Sequence, residues 1–107
     1  MSRPEATTTL GSVRGAAQNG VDAFLGIPYA APPVGALRFE APQPAEPWRG
    51  VRDASAHGPA PVQPRDGLSV QLGLLAEHAQ SEDCLTLNVW RPSERAREPR
   101  AVMVWLH

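Results

Sequence analysis

Two adjacent carboxylates, Glu82 and Asp83, are the first residues of this chain whose types could do chemistry. Paired carboxylates can hold a metal ion or share acid–base work, but neighbours near the start of a strand point to opposite faces and cannot readily share one proton. We therefore interpret one as the partner of an arginine and the other as a cap for backbone donors. The sequence shows no paired metal-ligand spacing, Walker loop or dinucleotide glycine motif, so we expect no metal and no cofactor.

The candidate nucleophiles are one cysteine and six serines. Nothing in the sequence places a base beside Cys84, and a lone cysteine in a strand is usually a small buried hydrophobe. No serine lies in the Gly-x-Ser-x-Gly frame of a nucleophile elbow. The serines are Ser2, Ser12, Ser55, Ser69, Ser81 and Ser93.

Of the three histidines, His57 and His78 fall in a predicted loop and a predicted helix, where surface or packing roles are the usual ones. His107 differs, because it follows Ala101 to Leu106, six apolar residues without a break. Such a run is typical of a strand covered on both faces in the middle of an α/β sheet. Open α/β sheets bind ligands at the carboxyl ends of their strands, so we take His107 as the marker of a site, without a proton-transfer role.

Three further strands are predicted to support these residues. From Leu85 to Trp90 apolar and other residues alternate with the period of a half-buried strand, which Pro92 ends. Thr7 to Val13 and Val21 to Ile27 are strand candidates, and Asn19-Gly20 between them is a strong hairpin signal. We predict one β-hairpin over the first 27 residues.

The middle of the chain is predicted to be an ordered, proline-rich loop. Residues 28 to 64 carry nine of the twelve prolines, which excludes a helix or a central strand, although a short strand from about Val51 to Ala54 is expected. The aromatic residues in this stretch argue for order. Leucines at helical spacing then predict a short helix from about Leu68 to His78, weakened by Gly67 and Gly73.

Size and charge limit the function classes. Ten basic and eleven acidic residues give a net charge of −1, which offers no electrostatic case for nucleic acid or an anionic membrane. The sequence has neither a signal-peptide core nor a bilayer-spanning run, so a cytoplasmic location is the default expectation. With 107 residues and 12 prolines, we expect the chain to be incomplete as a domain and prone to aggregate through Ala101 to Leu106.

The stretch Glu82 to Pro92 resembles a signature of the type B carboxylesterase family, which includes the cholinesterases. Phe24 to Ala30, Pro32 to Phe39, and Trp48 resemble the opening of its catalytic domain, and several motifs in the right order are more specific than one. The resemblance implies an α/β-hydrolase fold and a serine hydrolase that cleaves small-molecule carboxylic esters. Residues 1–107 would then be the amino-terminal part of that domain, with a β-hairpin, a proline-rich loop, a short helix and two strands of the central sheet.

The resemblance also implies roles for particular residues. Arg38 and Glu82 would form an ion pair, and His107 would be the first residue of a His-Gly-Gly-Gly type loop that forms the oxyanion hole. Cys84 occupies the place of a cysteine that is often disulfide-bonded, but the partner position appears as Pro61, which favours a reducing, bacterial, intracellular setting. The catalytic serine, acid and histidine would follow residue 107. We therefore expect no esterase activity from this chain alone.

Two alternatives remain open at this point. The chain could be a small binding or interaction module that uses exposed strand edges and the aromatic loop to hold a partner. It could also belong to a non-catalytic relative that keeps the fold without the serine. Substrate groups and oligomeric state are not specified by these residues.

Overall fold

Two three-stranded β-sheets carry most of the regular structure in the computed structural model, which describes residues 2–73 and 79–106. The first sheet has the order β1-β2-β5, with β1 antiparallel and β5 parallel to β2. The second has the order β3-β4-β6 with both pairings antiparallel. The strands are β1 (Glu5–Thr7), β2 (Ser12–Arg14), β3 (Ala16–Gln18), β4 (Val21–Pro28), β5 (Val51–Asp53) and β6 (Thr86–Pro92).

The amino-terminal part forms two hairpins, so the prediction of a single strand from Thr7 to Val13 is wrong. Thr8 breaks that stretch, because its Oγ1 accepts hydrogen bonds from the backbone N–H groups of Leu10 and Gly11 at 3.1 and 3.2 Å. The same hydroxyl donates to the Gly11 carbonyl at 2.8 Å. A threonine side chain that satisfies backbone groups locally favours a turn over a strand.

The predicted Asn19-Gly20 turn is confirmed between β3 and β4. Both residues have positive φ, 53° for Asn19 and 76° for Gly20, as a two-residue hairpin turn that follows the twist of its strands requires. The hairpin places Gln18 opposite Val21. This second hairpin carries β4, the longest strand of the chain.

A small apolar core lies where the two sheets meet. Val13, Phe24, Ile27 and Ala54 are buried, and Trp48 packs against them. The Trp48 indole N–H donates to the Ser12 carbonyl at 2.8 Å, which satisfies its polar group while the ring is partly buried. The core therefore joins β2 to β4 and to the segment after β5.

The proline-rich segment is ordered and follows the prediction closely. It contains a single 3-10 turn, Gly35–Leu37, and the short strand β5, which matches the strand expected near Val51 to Ala54. Backbone hydrogen bonds hold it in place, from Ala31 to Gln43 and from Trp48 to Leu10, both at 2.9 Å. Prolines leave few backbone donors for a ladder, so the segment wraps the sheets as a loop.

The predicted helix is shorter than expected. Helix α1 spans Gly67–Gln71, and Gly73 adopts a left-handed φ of 69°, the conformation that commonly terminates a helix. Residues 74–78 of the prediction lie outside the described residues. Within residues 2–73 and 79–106, no helix has the length and apolarity that a bilayer span requires.

Strand β6 confirms the strand that was predicted from Leu85. The prediction of a second sheet strand from Ala101 to Leu106 is wrong. Residues 102–106 are between 75% and 92% exposed and form no strand. A strand needs hydrogen-bonding partners, and no described segment pairs with these residues. Among the described strands, β6 pairs with β4 alone.

Candidate functional site

An ion pair joins the proline-rich loop to the segment that leads into β6. Arg38 Nε lies 2.6 Å from Glu82 Oε1, the two side chains that the sequence analysis paired. The Arg38 guanidinium also stacks over the Phe39 ring, 4.9 Å from its centroid. Both members of the pair are about half exposed, so the contact contributes at most about 1 kcal/mol and acts mainly on geometry.

Asp83 behaves differently from Glu82. Its backbone N–H donates to Ser81 Oγ at 3.1 Å. Among residues 2–73 and 79–106, no hydrogen bond to its carboxylate is found, so the predicted capping of backbone donors is not observed there. Within the described residues, Glu82 therefore has an arginine partner, whereas Asp83 takes part through its backbone N–H.

Cys84 is a half-buried free thiol. The neighbour of Pro61, Ala60, is bonded to the segment just before Cys84, because its N–H donates to the Ala79 carbonyl at 2.8 Å and its carbonyl accepts from Ser81 at 3.0 Å. The two positions that the family resemblance links by a disulfide therefore lie in adjoining segments. Pro61 supplies no sulfur, and Cys84 is the only cysteine in the sequence.

The histidines contribute packing where they are described. The His57 ring contacts Trp90, with 6.3 Å between the ring centroids and 51° between the planes. This contact agrees with the predicted packing role of His57. His78 and His107, the predicted marker of the oxyanion loop, lie outside the described residues.

Asp22 in β4 is a buried carboxylate, 5% exposed, that was not predicted from the sequence. Its Oδ1 accepts a hydrogen bond from Ser93 Oγ at 2.6 Å, and its Oδ2 accepts one from Arg91 Nε at 3.1 Å. The Ser93 hydroxyl, and then Arg91, hold the pKa of Asp22 below its ordinary value, against the opposing effect of burial. Asp22 stands directly opposite Arg91 in the β4–β6 register, so knowledge of that register would have revealed the pair.

The surface that the described residues form includes open depressions. A mainly apolar groove of about 310 Å³ is bounded by Tyr29, Leu37, Pro42 and Leu85, with Glu40 at its rim. A charged one of about 600 Å³ lies over the turn after β6. Neither contains a serine or cysteine beside a histidine.

The described residues therefore build a frame with no reaction centre of its own. No group of three or more potential metal ligands is found within residues 2–73 and 79–106. The charged contacts fix segments to one another: Arg38 to Glu82, and Asp22 to Arg91 and Ser93.

Comparison with known proteins gives consistent matches. The family model described as "Carboxylesterase family" matches residues 2–107. The chain is similar to phenmedipham hydrolase of Pseudarthrobacter oxydans, with 47% identity over 108 residues that cover 100% of this chain and 22% of that protein. It is also 47% identical to para-nitrobenzyl esterase of Bacillus subtilis over 107 residues, which are 100% of this chain and 21% of that protein.

A solved structure supports the same relationship. A PNB esterase aligns with a TM-score of 0.77 and 48% sequence identity, over 87% of this chain and 19% of that one. The chain therefore spans about one fifth of the length of the relatives it matches.

Proposed function

We propose, because this chain belongs to the carboxylesterase family, that it is the amino-terminal segment of a serine hydrolase that cleaves small-molecule carboxylic esters. Its fold is a part of the α/β-hydrolase fold. The observation that carries the proposal is the family match across residues 2–107. Residues 1–107 would then be one portion of a single catalytic domain.

In the intact protein, a serine attacks the ester carbonyl, the alcohol leaves, and water hydrolyses the resulting acyl-enzyme. Backbone N–H groups just beyond His107 stabilise the tetrahedral oxyanion. The serine, the acid and the catalytic histidine would belong to the part of the protein beyond residue 107. The residues of this chain act as the frame, since Arg38 and Glu82 fasten the proline-rich loop beside the start of β6.

We further propose that the intact protein is bacterial and works in the reducing cytoplasm. The support is Pro61, which stands where the family resemblance places the disulfide partner of Cys84. Thiol labelling of the intact protein tests the redox state of Cys84, which should react with a maleimide after unfolding without any prior reduction. Labelling that requires a reductant would contradict the proposal.

The test of the main proposal compares the intact protein with the 107-residue chain. A simple aryl ester such as p-nitrophenyl acetate reports turnover, and a fluorophosphonate probe labels an activated serine covalently. We expect turnover and labelling from the intact protein and neither from the 107-residue chain. Turnover by the short chain would refute the assignment of all catalytic residues to later sequence, and an intact protein that is neither active nor labelled would be a non-catalytic relative.

A further inference from the structure

The charged depression over the turn after β6 has an excess of arginine in its lining. Its charged lining residues are Arg91, Arg95, Arg100, Glu5 and Glu94. All of the lining belongs to β1, β6 or the turn at residues 93–100, so described residues alone form the depression. Its volume of about 600 Å³ lies within the range of small-molecule sites.

The ion pairs at this depression leave it positively charged. Glu5 Oε1 accepts a hydrogen bond from Arg14 Nε at 2.7 Å, so an arginine outside the lining already neutralises this carboxylate. The charge of Arg91 is likewise balanced by a carboxylate outside the lining. Two arginines and one glutamate remain, namely Arg95, Arg100 and Glu94. The depression therefore keeps one net positive charge, although the chain as a whole has a net charge of −1.

Two of the three guanidinium groups in the lining are held in place. Arg91 Nε donates to Asp22 Oδ2 at 3.1 Å, and the guanidinium lies 5.1 Å from the centroid of the Phe24 ring. This hydrogen bond uses one of the five N–H groups of a guanidinium, which leaves donors on the Nη atoms for a ligand. Arg100 Nη2 donates to the Glu94 carbonyl at 3.3 Å, and a neutral acceptor leaves its positive charge in place. Side chains that are already held lose less conformational freedom on binding.

The third arginine, Arg95, supplies a charge without a structural task. Within the described residues it has no ion-pair partner. Its replacement should therefore change the charge of the depression without breaking a contact that the structure shows.

We propose that this depression binds the phosphate group of a small molecule through the guanidinium groups of Arg91, Arg95 and Arg100. Guanidinium groups donate paired N–H bonds to phosphate oxygens. A phosphate group offers at least three acceptor oxygens and nearly two negative charges at neutral pH, whereas a carboxylate offers two oxygens and one charge. One net positive charge is too little to hold nucleic acid or an anionic membrane, so the ligand is a small molecule.

The first test titrates the intact protein with inorganic phosphate in a calorimeter, with acetate as the comparison ion and the ionic strength held constant with sodium chloride. We expect saturable phosphate binding that is about tenfold tighter than acetate binding, because the phosphate ion carries more charge and more acceptors. The absence of saturable phosphate binding, or acetate binding of equal affinity, overturns the proposal. These readouts measure binding alone and do not depend on esterase activity.

Arginine variants locate the ion. Arg95→Gln and Arg100→Gln should each weaken phosphate binding about tenfold, because each removes charge-assisted hydrogen bonds. Arg52→Gln is the matched control: Arg52 lies in β5, over the Trp48 ring and outside the lining, and its loss changes the total charge by the same amount. It should keep the wild-type affinity. An equal loss in Arg52→Gln would show a general effect of charge and would overturn the site.

Removal of the remaining negative charge should have the opposite effect. Glu94→Gln should tighten phosphate binding about threefold, since it relieves the repulsion between a carboxylate and the ion. A variant that merely damaged the fold would weaken binding instead. Unchanged or weaker binding by Glu94→Gln would contradict the proposed site.

Hydrogen exchange places the ion on the chain independently of the variants. At a phosphate concentration of about ten times the Kd, peptides that cover residues 91–100 should exchange about tenfold more slowly, because the ion must leave before the turn opens. Peptides that cover the turn Gly35–Leu37 should not change. Protection that appears elsewhere and not at residues 91–100 would assign the ion to another site and overturn the inference.

Discussion

Replacing Phe24 by alanine should open the region where the two sheets meet, whereas the same replacement at Phe39 should not. The two phenylalanines of this chain form a natural pair, because Phe24 is 3% exposed and Phe39 is 93% exposed. Phe24 packs with Val13 and Ile27 in the core that joins β2 to β4. Phe39 contacts solvent and the guanidinium of Arg38.

The expected magnitudes follow from burial. A buried phenylalanine removes about 150 Å² or more from water, worth about 4 kcal/mol at roughly 25 cal/mol per Å², and Phe→Ala replacements in cores cost about 3–5 kcal/mol. Because this core is small and its neighbours can partly collapse, we expect about 3 kcal/mol for Phe24→Ala. Loss of the exposed cation–π contact makes Phe39→Ala cost at most about 1 kcal/mol.

Hydrogen exchange of the β2 and β4 amides in the intact protein measures this difference locally. A gap of about 2 kcal/mol between the variants corresponds to about a thirtyfold faster exchange in Phe24→Ala. Equal protection in the two variants would refute the placement of Phe24 at the centre of the core. A greater loss of amide protection in Phe39→Ala than in Phe24→Ala would show that the exposed ring stabilises the fold more than its contacts explain.

Three further outcomes are expected. Gly15→Ala should destabilise the intact protein in urea unfolding, because the new Cβ would overlap the carbonyl oxygen of β4 that faces it. Gly67→Ala should be close to neutral, because its new Cβ would meet no neighbouring atom. The pKa of Asp22 is lowered in the folded chain, so the stability that its carboxylate contributes is complete above its ordinary pKa of 3.8 and disappears as the pH falls through the lower folded value. Thermal melts from about pH 5 downward should therefore show a smaller loss of stability in acid for Asp22→Asn than for the wild type. Val104→Lys should reduce light scattering by the 107-residue chain more than Val62→Lys, because the charge then interrupts the apolar run from residue 101 to 106.

The sequence predicted best where structure depends on neighbours along the chain. The Asn19-Gly20 turn was predictable because both residues tolerate positive φ, and strand β6 was predictable from its alternation. The Arg38–Glu82 contact came from the family resemblance and could not have been worked out from spacing, since 43 residues separate the two positions. The break at Thr8 was missed because its β-branched side chain favours a strand, while its hydroxyl can instead close a turn.

The hydrogen bonds of Asp22 with Arg91 and Ser93 could not be predicted from the sequence, because they depend on the register of two strands about 70 residues apart. That register shifts at a bulge between Phe24 and Ile27, where Asn88 Oδ1 accepts the Gly26 N–H at 3.0 Å. A one-residue difference in pairing would turn Asp22 away from Arg91, since side chains alternate faces along a strand. Sequence alone gives the alternation but not the alignment.

For the segment Ala101 to Leu106, too, the sequence does not show which strands would pair with it. Its uninterrupted apolar composition predicts burial on both faces, and burial of that kind can come only from neighbours on either side. The described residues provide none: β6 is bonded to β4 on one edge, and residues 102–106 remain at least 75% exposed. About four fifths of the length of the relatives lies outside their match to this chain. The apolar run therefore specifies what the segment needs, whereas the contacts of Asp22 with Arg91 and Ser93 fix only the end of β6 that precedes it.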